Sequence, residues 1–400
     1  MHKISSPSQL HPCLSIAMET SSICFFDNLK TNQYSSQILR RWSSKWVPSY
    51  TWSYKGLIAD PIETSLYHQL VVVPNSHTLF RPIDGSHVPV NSYSSFASQE
   101  YHRRLYPSEH NLNQDYAKAS TAQPKIISAA DGSINFILLW HADHVNYWHF
   151  TFDIAFRLFY FITLFPEVIN RIKLIVVGSS ALLAFQYDLL EAIIGRKPVI
   201  IFSYGSALVE SALFIPPVQT LLPRTDLLTL YSNHLSSCFA SRWRKSYCET
   251  SNEQKDTFNL QKIYIKRGNI KNPRMLTNEA EVISFLAQMD FTVRDPGILS
   301  VIEQAYLFRS ADLVVGPHGS AFVNMIFMKP GSSVIELTNS SYDPFHDFLL
   351  ARQLNISFTR IRQNDCYLNQ GDESPCHRPF GIDINKVKRA IFLASDPSNT

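Results

Sequence analysis

From Lys262 to Ile361 short apolar runs alternate with stretches of helical length. KIYIKR, FTVRD, DLVVG, SSVIEL and ISFTRI read as strands, and NEAEVISFLAQM, SVIEQAYLFRSA, SAFVNMIFM and PFHDFLLARQL between them read as helices. Strands alternating with helices of this length imply a doubly wound parallel sheet with helices on both faces. Such sheets bind ligands beyond the carboxyl ends of their strands, so the same pattern says where to look for function.

The first half carries a shorter version of the alternation. SINFILLW reads as a buried strand, NYWHFTFDIAFRLFYFI as a helix with an aromatic face and KLIVVG as a strand. SALLAFQYDLLEAIIG follows as a helix closed by Gly195, then PVIIFSY and Ala212–Ile215 as further strands of one parallel layer. Before Pro124 the chain is rich in Ser, Tyr, His and Asn, and only Gln69–Val73 stands out as a strand. Four hundred residues suit two domains, and the polar stretch Glu249–Thr257 is the expected linker. The expectation is an N-terminal α/β domain over 1–250, with 1–125 poorly assigned, and a C-terminal Rossmann-like domain over 258–365. A tail over 366–400 follows, whose INKVKRAIFLA is expected to return as a helix across the first domain.

Composition narrows the function classes. With 45% hydrophobic and 17% charged residues the chain is globular, and a net charge of +3 without a basic run argues against nucleic acid. The most apolar stretch, Ile154–Ile169, is interrupted by Arg157, Pro166 and Glu167 and falls short of the ~20 residues a membrane helix needs. No transmembrane segment and no signal peptide are read, which leaves peripheral contact with a membrane open. Six cysteines include no C-x-x-C pair, against a structural zinc site; Cys238/Cys248 and Cys366/Cys376 share a spacing that allows disulfides, while a reducing cytosol would leave them as thiols.

The chemistry concentrates in DLVVGPHGSAFVNMIFM. A strand ending at Gly316 and a helix starting near Ser320 put Gly316, His318, Gly319 and Ser320 where backbone N–H groups at a helix N-terminus meet a diphosphate, with Asn324 on the helix that follows. Arg267 ends the strand KIYIKR and Arg274 follows in its loop; their forked donors suit phosphate, whereas Lys266 is expected to face the other way. Glu336 ends SSVIEL, where a carboxylate can accept from ribose hydroxyls. The turn is not G-x-G-x-x-G and no Walker lysine follows, which lowers the nicotinamide and P-loop readings. In the first half Asp153 and His149 lie four apart on one helix face, with a salt bridge from Asp153 to Arg157 as the plain alternative. His141 and His144 read as a polar loop rather than a metal pair.

These segments resemble glycosyltransferase family 61, of the bacterial capsular polysaccharide type, from about Ile134 to Ile361. IYIKRGNIKNPRMLTNEAEVISFL, the G-P-H-G block with its flanking elements and following I-E-L, and NYWHFTFDIAFRL carry the resemblance. It implies a GT-B architecture of two Rossmann-like α/β domains facing a central cleft. It also implies an inverting, metal-independent transfer from a nucleotide sugar, usually a UDP-sugar, to a glycan acceptor, with no cofactor. The absence of a D-x-D tripeptide agrees, since a metal-dependent enzyme needs carboxylates to hold its cation. Asp153, then His149, are the expected catalytic bases. The alternative is a catalytically inactive nucleotide-sugar or glycan-binding partner in an assembly complex. The expected location is cytoplasmic, at the inner face of the membrane, or the secretory pathway for a chain cut from a longer eukaryotic protein.

Overall fold

The computed structural model describes residues 13–16, 22–26, 63–74, 79–84, 86–90, 117–129, 131–139, 145–215, 225–244, 261–267, 275–339, 346–363 and 379–395. They form two compact units. One comprises the chain up to Val145 with His149–Leu183 and Ile194–Arg224; the other comprises Asn146–Trp148, Ala184–Ile193 and the chain from Thr225 onward.

The sheet of the first unit contains β1 (Cys13–Ile16), β2 (Ser22–Phe26), β3 (Glu63–Val72), β4 (Leu79–Ile83), β5 (Ser86–Val90), β6 (Lys125–Ile127), β7 (Ile134–Leu139), β8 (Ile172–Val177), β9 (Ile200–Ser203) and β10 (Ala207–Phe214). Its order is β1-β2-β3-β10-β7-β8-β9, with β4, β5 and β6 off that path. From β10 through β7 and β8 to β9 every pair is parallel, as expected. The other side departs from an all-parallel layer, because β3 joins β10 antiparallel and β2 joins β3 antiparallel. Leu70 and Val72 of β3 sit in the same core as Ile137, Ile175 and Val209. A strand buried on both faces reads alike in either direction, so the sequence alone does not announce the reversal.

Between β7 and β8 runs a helix that begins as a π-helix, His149–Ala155, and continues as α1 (Phe156–Leu164). Arg157 is fully buried on it and donates from Nη2 to the Leu138 carbonyl at 2.8 Å and from Nη1 to that of Ile215 at 2.5 Å. One guanidinium thus satisfies carbonyls at the ends of two neighbouring strands, which is how an interior cation is tolerated.

α2 (Ala184–Ile194) ends as its sequence predicts, at Gly195 with φ of 76°. α3 (Thr225–Trp243) is a long helix that the weak periodicity of its sequence does not reveal. It packs on α5 (Val301–Ser310) and on Ser320–Phe327, and therefore belongs to the second unit although it precedes the expected linker; 249–257 lies outside the described residues.

The second unit holds β11 (Lys262–Ile265), β12 (Thr292–Arg294), β13 (Leu313–Pro317), β14 (Ser333–Asn339) and β15 (Ser357–Gln363), all parallel, in the order β12-β11-β13-β14-β15. This is the doubly wound sheet that the alternation predicts, and its strand order reverses between β11 and β13. α4 (Glu279–Ala287), α5, α6 (His346–Gln353) and α7 (Ile384–Ala394) accompany the strands. Ser300 starts α5 with a capping box, its hydroxyl accepting from the Glu303 amide while Glu303 accepts from the Ser300 amide. Val387, Ala390 and Ile391 of α7 join the core formed by Tyr264, Val315 and Ile335. The last helix thus packs its buried stripe on β14 and β15 of its own unit, in place of the expected return to the first domain, and leaves Phe392 and Leu393 exposed.

β11 and β13 approach so closely at Gly316 that a Cβ built there would lie 2.2 Å from Ile265 Cγ1 and 2.8 Å from its carbonyl oxygen. A backbone atom cannot swing away as a side chain can. Gly316→Ala is therefore expected to destabilise the protein by about 1–3 kcal/mol, read as a lower urea midpoint; an unchanged midpoint would show that the strands can part at no cost.

Candidate functional site

A cavity of about 370 Å³ opens in the second unit beyond the carboxyl ends of β11, β12 and β13. It lies where the strand order reverses, the crevice in which open α/β sheets receive ligands. Its walls come from Lys266 and Arg267 after β11, Asp295 after β12, Pro317 at the end of β13, and the turn Gly319–Ala321. Tyr147, then Ala184, Phe185 and Asp188 of α2, and the stretch from Pro296 to the start of α5 with Gln304 also line it.

The turn after β13 is where sequence and structure meet most closely. Gly319 has an extended backbone and begins a 3-10 helix over Ser320–Phe327, where the sequence predicts an α-helix. The Asn324 side chain donates to the Ala321 carbonyl three residues back at 3.0 Å, a local bond that competes with the ordinary helical ladder. Ser320 and Ala321 present the first turn, whose N–H groups have no partner within a helix, to the cavity. Arg267 runs along the same turn. Its Nη1 donates to the His318 carbonyl at 2.9 Å, and a Cβ on Gly319 would lie 3.8 Å from its Cζ. Arg267, Gly319 and Ser320 thus line one cavity, together with Lys266. Lys266 borders the cavity just past the end of β11 and is exposed.

His318 and Glu336 do something other than the sequence suggests. His318 is buried, and its Nδ1 lies 2.5 Å from Glu336 Oε1 and 3.2 Å from Asp347 Oδ2. The second Glu336 oxygen accepts from Arg360 Nε, and His346 Nε2 lies 3.5 Å from Asp347 Oδ2. Burial works against the charged imidazole, but the Glu336 and Asp347 carboxylates outweigh it and raise the His318 pKa. Burial likewise opposes the Asp347 carboxylate, yet His346, His318 and Arg360 hold its pKa below the usual carboxylate range. Inside the protein the Glu336 and Asp347 carboxylates are answered by His318 and Arg360, with His346 beside Asp347. Glu336 is fully buried with both oxygens engaged, so the ribose contact read from its strand-end position is corrected to a support for His318.

Asn324 is likewise turned inward. It is fully buried, donates to Gln304 Oε1 at 2.8 Å and accepts from the Tyr147 hydroxyl at 3.0 Å. It ties together Tyr147 and Gln304, both of which line the cavity, and does not line it itself. Gly316 is buried within β13, where it serves the approach to β11. Arg274, His141 and His144 lie outside the described residues.

In the first unit His149 Nδ1 lies 2.7 Å from Asp153 Oδ2 on the π-helical turn. The neighbouring Phe150, Thr151, Phe152 and Ile154 are buried, which leaves these two as its partly exposed polar pair. π-Turns of this kind recur at functional sites. Arg157, the alternative partner of Asp153, sends its two Nη groups to the carbonyls of Leu138 and Ile215. Among the described residues His318, His346 and Asp347 are the group that could hold a metal, with one donor atom each within 4.8 Å of the others. Cys238 is a free thiol, and Cys248, Cys366 and Cys376 lie outside the described residues. No helix among the described residues is long and apolar enough to cross a membrane.

Sequence reasoning passed over Tyr147, Asp188, Gln304, Asp347 and Arg360. One signal was present, an aspartate inside the apolar run of α2. A charge in such a run has to be answered by a partner or a ligand.

A family model, Glycosyltransferase 61, matches residues 147–335, a little under half of the chain. The match starts at the first cavity residue, Tyr147, and runs through α2, β11 and the turn after β13. No curated protein matches the chain.

The charge cluster makes two predictions. Glu336→Ala strands two buried cations and is expected to cost about 3–5 kcal/mol in urea unfolding; a loss within the range of a surface change would show the cluster to be idle. The raised His318 pKa stabilises the fold fully below the ordinary imidazole range and less as pH climbs through the raised value. Asp347 acts in the opposite sense, its contribution complete above the ordinary carboxylate range and lost as pH falls through its depressed value. The urea midpoint is thus expected to decline on the alkaline side, and that decline is expected to vanish in His318→Asn.

Proposed function

We propose, starting from a chain that carries a glycosyltransferase family 61 domain and is therefore a glycosyltransferase, that it moves a sugar from a nucleotide sugar, with UDP as the carrier, to a glycan acceptor. The observation that carries this reading is the cavity at the reversal of strand order, which Lys266, Arg267 and the Gly319–Ala321 turn all line, Arg267 being bonded to the His318 carbonyl of that turn. A diphosphate leaving group needs its developing negative charge neutralised as the glycosidic bond breaks. A guanidinium fixed beside a helix start supplies that charge without reorganisation, the role a metal ion fills in other transferases. Arg267 is held for this by its bond to the His318 carbonyl, and His318 is held in turn by Glu336 and Asp347. Arg274 is assigned to the same phosphate end on the sequence alone.

The transfer is proposed to invert the anomeric centre. The acceptor oxygen attacks the anomeric carbon, the bond from that carbon to the diphosphate oxygen breaks, and the nucleoside diphosphate leaves with the bonding electrons. The acceptor's proton passes to a base, assigned to Asp153 with His149 as its partner. The GT-B arrangement, metal independence and a place in polysaccharide or glycoconjugate synthesis belong to the same reading, supported by the family and by the parallel sheet of the second unit.

Calorimetric titration of UDP, GDP, CDP and NAD with a chelator present tests the donor. UDP is expected to bind best, and Arg267→Ala is expected to weaken it by about 1.5–3 kcal/mol, the worth of a hydrogen bond to a charged group. Binding of NAD in preference to UDP would overturn the assignment. Asp153→Asn is expected to lower turnover by roughly 10²–10⁴-fold with UDP affinity unchanged; full turnover would remove Asp153 from the base's role.

A further inference from the structure

Asp188, one of the carboxylates on the cavity, has no bonded partner among the described residues. Asp188 lines it from α2 together with Ala184 and Phe185, which lie four and three residues earlier and so share its helix face. It is half-buried, and no hydrogen bond or ion pair reaches it among the described residues. Arg242, whose charge acts on it from α3, makes its ion pair with Glu191 at 3.2 Å instead. Burial raises the pKa of Asp188 in spite of Arg242, with Glu191 pushing the same way. A carboxylate removed from water in this manner is costly until donors from elsewhere meet it.

The cavity is therefore bipolar. Lys266, Arg267 and the turn amides on its lining suit an anion, while Asp188, contributed by a different element, suits a cluster of donors. The ring of Phe185 lies edge-on to that of Tyr147 at 5.2 Å, and Tyr147 is fixed by its bond to Asn324. Aromatic faces beside a carboxylate suit a sugar ring, whose C–H face packs on the aromatics while its hydroxyls point to the acid. A ligand with phosphate at one end and vicinal hydroxyls at the other satisfies both; a simple dianion or an apolar molecule satisfies one at most.

We propose that Asp188 is a specificity-determining residue of the donor site, accepting hydrogen bonds from vicinal hydroxyls of the nucleotide sugar. The assignment rests on the donor-site reading above and transfers to Asp188 the role that the sequence suggested for Glu336. Ribose and the transferred sugar both carry such hydroxyls. An anionic sugar would be rejected beside Asp188, since two carboxylates would face each other without a cation between them.

The test is calorimetric titration of inorganic pyrophosphate, UDP, 2′-deoxy-UDP and the neutral UDP-hexose that binds best into wild type and Asp188→Asn. The substitution is expected to leave pyrophosphate affinity unchanged and to weaken a hydroxyl-bearing ligand by about tenfold, as loss of a charge-assisted acceptor should. If ribose is the partner, UDP weakens and 2′-deoxy-UDP does not; if the transferred sugar is, UDP is unchanged and the UDP-hexose weakens. The variant is also expected to unfold no earlier than wild type, because an unanswered charge has been removed. Unchanged affinities throughout overturn the role of Asp188, as does an equal loss for pyrophosphate, which would mean that the whole cavity had shifted. Wild type binding neither pyrophosphate nor UDP would instead overturn the donor-site reading and this proposal with it.

Discussion

Glu336 holds the second unit's working edge in place. From the middle of a fully buried strand it accepts from Arg360 on β15 and from His318 on the turn after β13. A lone carboxylate in that position would be costly, and so would either cation without it. Their mutual dependence means that the turn can take only an arrangement that brings the imidazole over the carboxylate. The His318 carbonyl then lies where Arg267 donates to it, and a side chain with many rotamers is confined beside Gly319. Charge placed deep in the sheet in this way sets the position of charge at its surface.

The architecture of the second unit was legible because two independent signals agree there. Each apolar run is short, and each is followed by a stretch of helical period, so β11 to β15 and α4 to α6 could be read before any coordinates. The reversal of strand order between β11 and β13 could not, since periodicity says nothing about which strands are neighbours. In the first unit the parallel strands β7 to β10 were legible for the same reason, whereas the antiparallel partner β3 looks like any doubly buried strand. α3 escaped notice because its buried residues, among them Leu228, Tyr231, Leu235 and Phe239, are interspersed with serines, asparagine and histidine.

The site divides along a similar line. Arg267, Gly319 and Ser320 could be placed at the cavity from their positions at the ends of predicted elements. Glu336 and Asn324 could not be assigned correctly, because position along a strand or helix does not say whether a polar side chain turns out to a ligand or in to a partner. Asp188 was hidden for the opposite reason. It belongs to a helix that the sequence attaches to the first half, and only the fold shows that this helix walls a cavity in the second unit.

That attachment bears on how the protein comes into being. Tyr147 and α2 leave the ribosome well before β11, so the wall that carries Asp188 exists as polypeptide before there is any sheet for it to close against. Vectorial synthesis cannot finish one unit and then begin the other. The earlier segments have to wait for the C-terminal strands, and a fragment starting at the polar stretch 249–257 would carry the arginine and the glycine turn but lack Tyr147, Phe185 and Asp188 from its cavity. Completing the second unit thus draws on both halves of the chain.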